Sequence, residues 1–503
     1  MSSNAVGLER ISTTVGYKVT KGNFSNSTPN LPQRIAILAE ANTANQGTLD
    51  VTPKEITSAQ QAGQLYGYGS PIHMIMRILR PVSGGGIGGI PTVVYPQEEA
   101  TATAKVISIT PVGTASGNAT HTMKIAGRLG VDGTFYDINI VDGDTVAGIS
   151  TKIKNAINAV LGSPVTGAST ATEATLTSKW AGLTADALTV TVDTNGNDLG
   201  LTYTIASETS GAGTPSISAA LAAYGNEWNT ITLNSYGTVT AVMTELETFN
   251  GIPDPVLPTG RFGGIIMKPF ISLTGSVADD PTSVTDAKKA DVTTAICPAP
   301  GSAGMQFEAA ANMALLFARI EQDSPHLDVQ GQFYPDMPTP LSIGSMASYE
   351  NRDLFVKKGC STVDLVAGKY KVQDFVTTYH PDGEIPPQYR YCRNLILDFN
   401  VRFGYYILEQ TNVVDKAIAN DSDTVSASNV VKPKQWRQIL NSYANDLASR
   451  ALIADAPFMQ SSIQVNIGTS NPDRLETFFR YKRTGFARIA STTAEAGFNF
   501  GNI

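Results

Sequence analysis

The residue types in this chain that could do chemistry are its histidines, its cysteines and two glycine motifs. The histidines and cysteines are His73, His121, His326, His380, Cys297, Cys360 and Cys392. A serine hydrolase would place a histidine beside a serine and an acid, but no G-x-S-x-G elbow supports such a triad. The spacings C-x-x-C and H-E-x-x-H are also absent. We therefore expect no catalytic residue and no bound metal or cofactor.

The two glycine motifs do not favour nucleotide binding. The run "GGGIGG" at 84–89 satisfies G-x-G-x-x-G. A dinucleotide site needs a strand before this motif and a helix after it. Here a predicted helix precedes it and Pro91 with a strand follows, so a flexible connection is predicted. Gly368 and Lys369 are followed by Tyr370, not by the serine or threonine of a phosphate-binding loop.

Length and composition indicate several globular domains around these residues. A chain of 503 residues corresponds to about three domains. Its hydrophobic content of 42% permits a substantial core. The longest apolar runs, such as "MALLFA" at 313–318, are far below the roughly 20 residues of a membrane helix. We expect no membrane span and no secretory signal, and three widely spaced cysteines favour a reducing compartment.

The net charge of −8 is unevenly distributed. Residues 1–350 contain 18 Lys and Arg against 29 Asp and Glu, a net charge of −11. Residues 351–503 contain 18 against 15, a net charge of +3, and the two sums return −8. The basic patch near the C-terminus suits an acidic protein surface as well as nucleic acid. Because the whole chain is acidic, we expect no direct nucleic-acid partner.

The N-terminus contains a strand pattern without a local partner. In "ISTTVGYKVT" the β-forming residues alternate with small polar ones, which indicates a strand with one buried face. The residues of that face are Ile11, Thr13, Val15, Tyr17 and Val19. The polar run "KGNFSNSTPN" follows as a tether. The strand either pairs with another subunit or lies at the edge of its own domain.

Changes in composition predict the domain boundaries. The predicted parts are an N-terminal arm and tether at 1–30, an α/β core at 31–96 and 209–345, an inserted β-rich peripheral domain at 97–208, and a C-terminal domain with an arm at 346–503. Strands alternating with helices predict a largely parallel sheet in the core, completed by strands at 34–39 and 92–95. One helix with apolar residues from Val146 to Val160 interrupts the insert.

The last region combines long helices with a closing β-meander. A helix near 433–453 starts at Pro433 and has Trp436 and Leu440 on its apolar stripe. The meander follows, with side chains that alternate along its strands. Its residues of interest are Ile463, Val465, Ile467, Leu475, Thr477, Phe479, Tyr481 and Ile489.

Several of these segments resemble a known family. The stretch "ENRDLFVKKGCSTVDLVAGKYKVQDFVTTY" resembles contractile tail sheath proteins, "VVKPKQWRQILNSYANDLASRALI" resembles their C-terminal helix, and "NPDRLETFFRYKRTGFARIAS" resembles their closing strand pair. Upstream, "YGYGSPIHMIMRIL" and "DSPHLDVQGQFYPDMPTP" resemble segments of Mu-like myophage sheaths. The resemblance covers most of the chain outside 97–208.

The resemblance implies an α+β multidomain fold with a subtilisin-like α/β core without protease activity. It also implies terminal arms that add strands to the C-terminal domains of neighbouring subunits in a helical sheath. The meander residues from Ile463 to Ile489 are then candidates for inter-subunit or acceptor strands. The expected partners are further copies of the chain, a tail tube protein, and baseplate and tail terminator proteins. The expected location is the virion, after assembly in the bacterial cytoplasm. We expect tube contacts at Lys432, Lys434, Arg437 and Arg450.

Three alternatives to a phage tail sheath stay open from the sequence. The first is a sheath subunit in a phage-derived bacterial injection device, which the residues do not distinguish from a phage tail. The second is an α/β hydrolase with a carbohydrate-binding β-insert. The third is a surface adhesin, which the expected lack of a signal peptide disfavours.

Overall fold

The computed structural model describes residues 28–46, 49–97, 101–383 and 388–496. The described chain forms two compact units. The first, called the core unit, consists of residues 30–402 and 486–496. The second, called the C-terminal unit, consists of residues 28–29 and 403–485.

The first part of the core unit alternates strands with helices. Its elements are β1 (Ile35–Glu40), α1 (Thr43–Gln46), β2 (Lys54–Glu55), α2 (Ala59–Tyr66), α3 (Pro71–Leu79) and β3 (Thr92–Gln97). Helix α3 begins as its sequence predicts, because the Ser70 hydroxyl accepts from the His73 amide and Pro71 occupies the first turn. The run 84–89 lies in the loop between α3 and β3, which confirms that it is a connection.

The next region is rich in strands and contains one long helix. Its elements are β4 (Ala104–Val112), β5 (Ala119–Ile125), β6 (Gly130–Val131), β7 (Thr134–Phe135), β8 (Asp137–Ile140), α4 (Val146–Ala159), β9 (Val165–Ser169), β10 (Ala174–Ala181), β11 (Val190–Asp193) and β12 (Thr202–Thr209). They form a four-stranded sheet, β12-β4-β10-β9, and a three-stranded sheet, β11-β5-β8. The backbones of Thr103 and Ala212 exchange two hydrogen bonds where this region begins and ends.

The chain then returns to the first sheet. The elements are α5 (Ser218–Ala222), β13 (Ile231–Asn234), α6 (Thr240–Asn250), β14 (Ile271–Ser276), α7 (Thr282–Ala287), β15 (Thr294–Pro298), α8 (Gln306–Asp323), α9 (Tyr349–Lys357), β16 (Thr362–Val366) and β17 (Lys369–Asp374). The sheet order is β15-β14-β13-β1-β3-β2, and only the edge strand β2 is antiparallel. The predicted parallel sheet, with strands from 34–39 and 92–95, is confirmed.

Helices cover the sheet, which is why its central strands β1, β13 and β14 are buried along their whole length. Helices α5 and α6 pack on the face that carries Ala36 and Leu38. Helices α3 and α8 pack on each other and on the strands. Every residue of β1 is buried, including Glu40 at its end. Burial raises the pKa of the Glu40 carboxyl to about 7, although hydrogen bonds, including one from Thr184, oppose this shift.

Two buried ion pairs join distant parts of the core unit. Arg128 in the strand-rich region contacts Glu308 on α8 at 2.8 Å, and the Glu308 side chain is only 2% exposed. Arg488, near the C-terminus, contacts Asp328, whose side chain is 1% exposed. The Arg488 guanidinium also lies 3.7 Å from the centroid of the Tyr391 ring. These pairs attach the strand-rich region and residues 486–496 to the rest of the core unit.

The C-terminal unit is built around one amphipathic helix. Its elements are the end of α10 (Cys392–Asn412), β18 (Ala417–Ile418), β19 (Val430–Val431), α11 (Pro433–Ser449), β20 (Ile453–Ala454), α12 (Ala456–Ser462), β21 (Gln464–Ile467), β22 (Leu475–Phe478) and β23 (Lys482–Arg483). Trp436 and Leu440 are buried on α11, as its sequence predicts. The helix ends four residues earlier than the predicted 453, because Ala451 has a positive φ of 54° and Ile453 belongs to β20.

Candidate strand-acceptor site

The predicted meander forms a hairpin in the C-terminal unit. Strands β21 and β22 are antiparallel, with Val465 opposite Thr477 and Ile467 opposite Leu475. The turn between them closes through the Gly468 amide, which donates to the Arg474 carbonyl at 2.7 Å. These four side chains lie on one face of the hairpin, as the two-residue alternation predicts.

That face packs against α11 through an aromatic cluster. Trp436 is 1% exposed, and its indole N–H donates to the Thr477 hydroxyl at 3.0 Å. The Tyr405 ring lies 5.9 Å from Trp436 and 5.5 Å from Phe479, measured between centroids. Phe479 in turn contacts Tyr481 at 6.3 Å. The inner face is therefore fixed by aromatic packing and by a hydrogen bond.

The outer face and the outer edges of the hairpin lack the packing that fixes the inner face. Phe478 points to the other side and is 50% exposed. In the part of the chain that the structure describes, β21 and β22 pair only with each other. Each strand therefore keeps one edge of backbone donors and acceptors without a strand partner in the sheet. A two-stranded sheet is marginally stable alone, and an added strand would stabilise it.

The other residues predicted for inter-subunit or acceptor strands lie in different parts of the chain. Ile463 is 6% exposed and immediately precedes β21. Ile489 belongs to no strand in the described residues and is 90% exposed. The candidates Ile11, Thr13, Val15, Tyr17 and Val19 lie outside the residues that the structure describes.

The first described residue is bound to the same helix that supports the hairpin. The Thr28 hydroxyl donates to the Asp446 carboxylate at 3.2 Å. The Arg450 guanidinium donates to the Thr28 carbonyl at 2.7 Å and contacts Asp446 at 3.3 Å. Sequence reasoning missed Thr28 and Asp446. The one available signal was the opposite charge of Asp446 and Arg450 at i,i+4 on a helix.

The proposed tube-contacting cations do not form one cluster. Lys434 and Arg437 are exposed and lie three residues apart, on one side of the first turns of α11. Lys432 precedes the helix and donates to the Asp423 carbonyl. Arg450 follows Arg437 by 13 residues, about 20 Å along the helix axis, and its guanidinium is bound to Thr28 and Asp446. Lys434 and Arg437 are therefore the pair that can act together.

Three histidine side chains have structural partners. His73 accepts from the Gly69 amide at 3.1 Å. His121 contacts the Tyr203 hydroxyl at 2.6 Å, and His380 contacts an Asp286 carboxylate oxygen at 3.1 Å. None of these partners is a serine or cysteine. Among the described residues, no group of three or more histidine, cysteine or acidic side chains could hold a metal ion. No helix within those ranges is long and apolar enough to cross a membrane.

Comparisons with known proteins give similarity in structure alone. No protein-family model matches the chain, and no curated protein matches it. A crystal structure of a sheath tail protein from Desulfitobacterium hafniense is 12% identical, with 94% of this chain and 99% of that chain covered and a TM-score of 0.44. A sheath tail protein from Listeria innocua is 10% identical, with coverages of 91% and 93% and a TM-score of 0.42.

A cryo-EM structure of the anti-feeding prophage baseplate contains a third similar chain. It is 10% identical, with 97% of this chain and 100% of that chain covered and a TM-score of 0.44. The chain is thus similar in structure, at low identity, to two sheath tail proteins and to a chain of the anti-feeding prophage baseplate.

Proposed function

We propose that this chain is a structural subunit of a contractile tail sheath, which polymerises helically around a tail tube and contracts to drive the tube through a host envelope during genome ejection. The observation that carries the proposal is the β21–β22 hairpin, which is packed on one face and has no strand partner at either outer edge within the described residues. The sequence segments that resemble sheath proteins, including those of Mu-like phages, support the same function and a subtilisin-like α/β core.

Strand exchange is the proposed link between copies. Residues 11–20 of one copy add to the β21–β22 hairpin of another, so that main-chain hydrogen bonds give affinity and the alternating side chains fix the register. The Asp446 and Arg450 contacts to Thr28 anchor the base of this arm on its own C-terminal unit. An arm with a fixed base and a polar tether would let neighbouring subunits move while they stay linked.

The energy for contraction is stored during assembly in this proposal. The sequence contains no phosphate-binding loop motif that would supply hydrolysis. A metastable extended packing with poorer contacts between subunits would release a few kcal/mol per subunit, about the contribution of one or two buried side chains. Many subunits together would then give a large total. The expected partners are the tail tube, the baseplate and the tail terminator.

Negative-stain electron microscopy of the purified chain tests the polymer and its link. The full chain is expected to form hollow tubes, and a variant lacking residues 1–21 is expected to form none. Two matched double variants distinguish the effect of disrupting the predicted buried face from the effect of added charge. Val15→Asp with Val19→Asp places carboxylates on the predicted buried face, whereas Thr14→Asp with Thr20→Asp places the same charge on the opposite face.

Only the first pair should abolish the tubes. Tubes from the truncated chain would keep the polymer but contradict the donated strand. Single particles from the full chain, even with tube protein present as a template, would overturn the sheath proposal. A serine-directed covalent probe provides an independent test against the hydrolase, because it should leave this chain unlabelled.

A further inference from the structure

A cleft of about 1040 Å³ lies in the core unit. Its walls come from α3 and the loop after it, from α8, and from the β6–β7 turn of the strand-rich region. The lining is largely apolar and includes Ile78, Pro81, Val82, Leu315 and Pro335. A cleft of this volume, with apolar residues beside polar groups at defined positions, has the character of a small-molecule site.

His73 is a lining residue of this cleft whose ring has a nitrogen that can donate a hydrogen bond. The residue is 2% exposed and belongs to the cleft lining. Its Nδ1 accepts from the Gly69 amide at 3.1 Å, so in the neutral ring the proton is on Nε2. Among the described residues, Nε2 has no hydrogen-bond partner. Burial, assisted by the charge of Arg77, lowers the pKa of His73 to about 4, so the ring is neutral near pH 7.

The backbone beneath His73 fixes this tautomer. Gly69 has a φ of +84°, and a Cβ atom at this position would lie 2.0 Å from the Ser163 carbonyl oxygen. Only glycine is therefore accommodated where the amide must point at Nδ1. The Tyr68 ring packs edge-on against the imidazole, with 5.2 Å between the centroids. Both contacts restrict the ring and keep the Nε2 donor in place.

The charged groups around the cleft are already paired. Arg77 donates to a single Asp132 carboxylate oxygen through Nε at 3.1 Å and Nη2 at 2.9 Å. Asp336 pairs with Arg128 at 2.6 Å. A charged ligand would have to compete with these ion pairs, whereas a neutral ligand would not. The cleft therefore favours an uncharged ligand.

We propose that this cleft binds a neutral, largely apolar ligand whose carbonyl or amide oxygen accepts a hydrogen bond from His73 Nε2. Such an acceptor can come from a small molecule or from the backbone of a polypeptide segment. The apolar walls bind the body of the ligand, and His73 sets its orientation. The proposal concerns the core unit and is independent of the sheath function.

Calorimetric titration of the full chain with matched probes tests this site. Acetanilide supplies an amide oxygen on an apolar ring, and propylbenzene has a similar size without an acceptor. The wild-type chain should bind acetanilide about tenfold more tightly, because one hydrogen bond to a buried donor is involved. His73→Phe keeps a ring but removes the donor, and it should abolish this preference. His326→Phe is the matched control and should retain it.

A second variant and a third probe complete the test. Ser83→Trp, on the exposed rim, should weaken both probes by covering the cleft, and it decides the matter if His73→Phe does not fold. N-acetyl-leucine methylamide, a mimic of a polypeptide backbone, distinguishes the two sources of the acceptor. If it binds more tightly than acetanilide, and if this binding depends on His73, the acceptor belongs to a polypeptide. If acetanilide binds more tightly, the acceptor belongs to a small molecule. The proposal is overturned if wild type binds neither amide, if His73→Phe keeps the preference, or if Ser83→Trp has no effect.

Discussion

The indole N–H of Trp436 donates to the hydroxyl of Thr477 across 3.0 Å and so connects α11 to the middle of β22. Thr477→Val keeps the shape of the side chain but leaves the indole donor without its acceptor. The free energy of unfolding should fall by about 1 kcal/mol, measured by urea denaturation. Thr469→Val, in the exposed turn of the same hairpin, should change it by much less. Equal losses of unfolding free energy in the two variants would show that the hydrogen bond from Trp436 to Thr477 makes no specific contribution to stability.

Arg488 should be required for attachment of the C-terminal segment. Its partner Asp328 is 1% exposed, so Arg488→Ala leaves a buried carboxylate without its cation. The expected loss of stability is about 3 kcal/mol, and chymotrypsin should cleave faster at Phe486. The control is Arg474→Ala, which removes a guanidinium that is 68% exposed and should cost less than about 1 kcal/mol. A loss as small as that of the control would contradict the structural role of the buried pair.

The raised pKa of the buried Glu40 carboxyl predicts a specific dependence of the free energy of unfolding on pH. The pKa of this carboxyl is about 7 in the folded chain against an ordinary value of 4.5, because burial disfavours the charged form, so the folded state holds this proton more tightly. The protonated Glu40 carboxyl contributes its full stabilisation of the folded chain below pH 4.5. This contribution to the free energy of unfolding, at most about 3 kcal/mol, is lost as the pH rises through about 7. Glu40→Gln should remove this part of the pH profile and be more stable than wild type at pH 8.

The control for this profile is Glu55→Gln, which changes an exposed carboxyl on the edge strand β2. Other buried carboxyls contribute equally to all three profiles, so the difference between wild type and each variant isolates one group. A Glu40→Gln profile parallel to that of wild type between pH 4.5 and 7 would mean that the carboxyl ionises freely in the folded chain.

Charge reversal at the start of α11 tests the proposed tube contact. Lys434→Glu with Arg437→Glu should weaken co-sedimentation with an acidic tail tube on the order of tenfold at low salt. The effect should shrink at high salt, because exposed charges are screened. Lys357→Glu with Lys369→Glu changes the net charge equally at other exposed positions. Unchanged tube binding by the α11 variant would exclude this surface.

Periodicity predicted the parts of the fold that depend on neighbouring residues in the chain. The start of α3 followed from Ser70 and Pro71, and the inner face of the hairpin followed from the alternation at Val465 and Thr477. Both features reflect local rules of capping and strand geometry. The parallel sheet was also predictable, because its strands alternate with helices along the chain.

Contacts between distant residues were not predictable in the same way. Arg128 and Glu308 are 180 positions apart, and neither lies in a pattern that distinguishes it from a solvent-exposed charge. The tautomer of His73 depends on the backbone of Gly69, whose conformation is set by its close approach to Ser163. Such features arise only when elements meet in three dimensions, so one sequence contains no local signal for them.

The paired backbones of Thr103 and Ala212 have a consequence for how this chain can change over evolution or by design. Because the strand-rich region leaves and rejoins the core unit at adjacent points, another domain with neighbouring termini could replace it without altering the order of the parallel sheet. The replacement would need a cation for Glu308, which Arg128 now supplies. The core unit is thus a scaffold in which one inserted domain can be exchanged at two adjacent points of the backbone, Thr103 and Ala212.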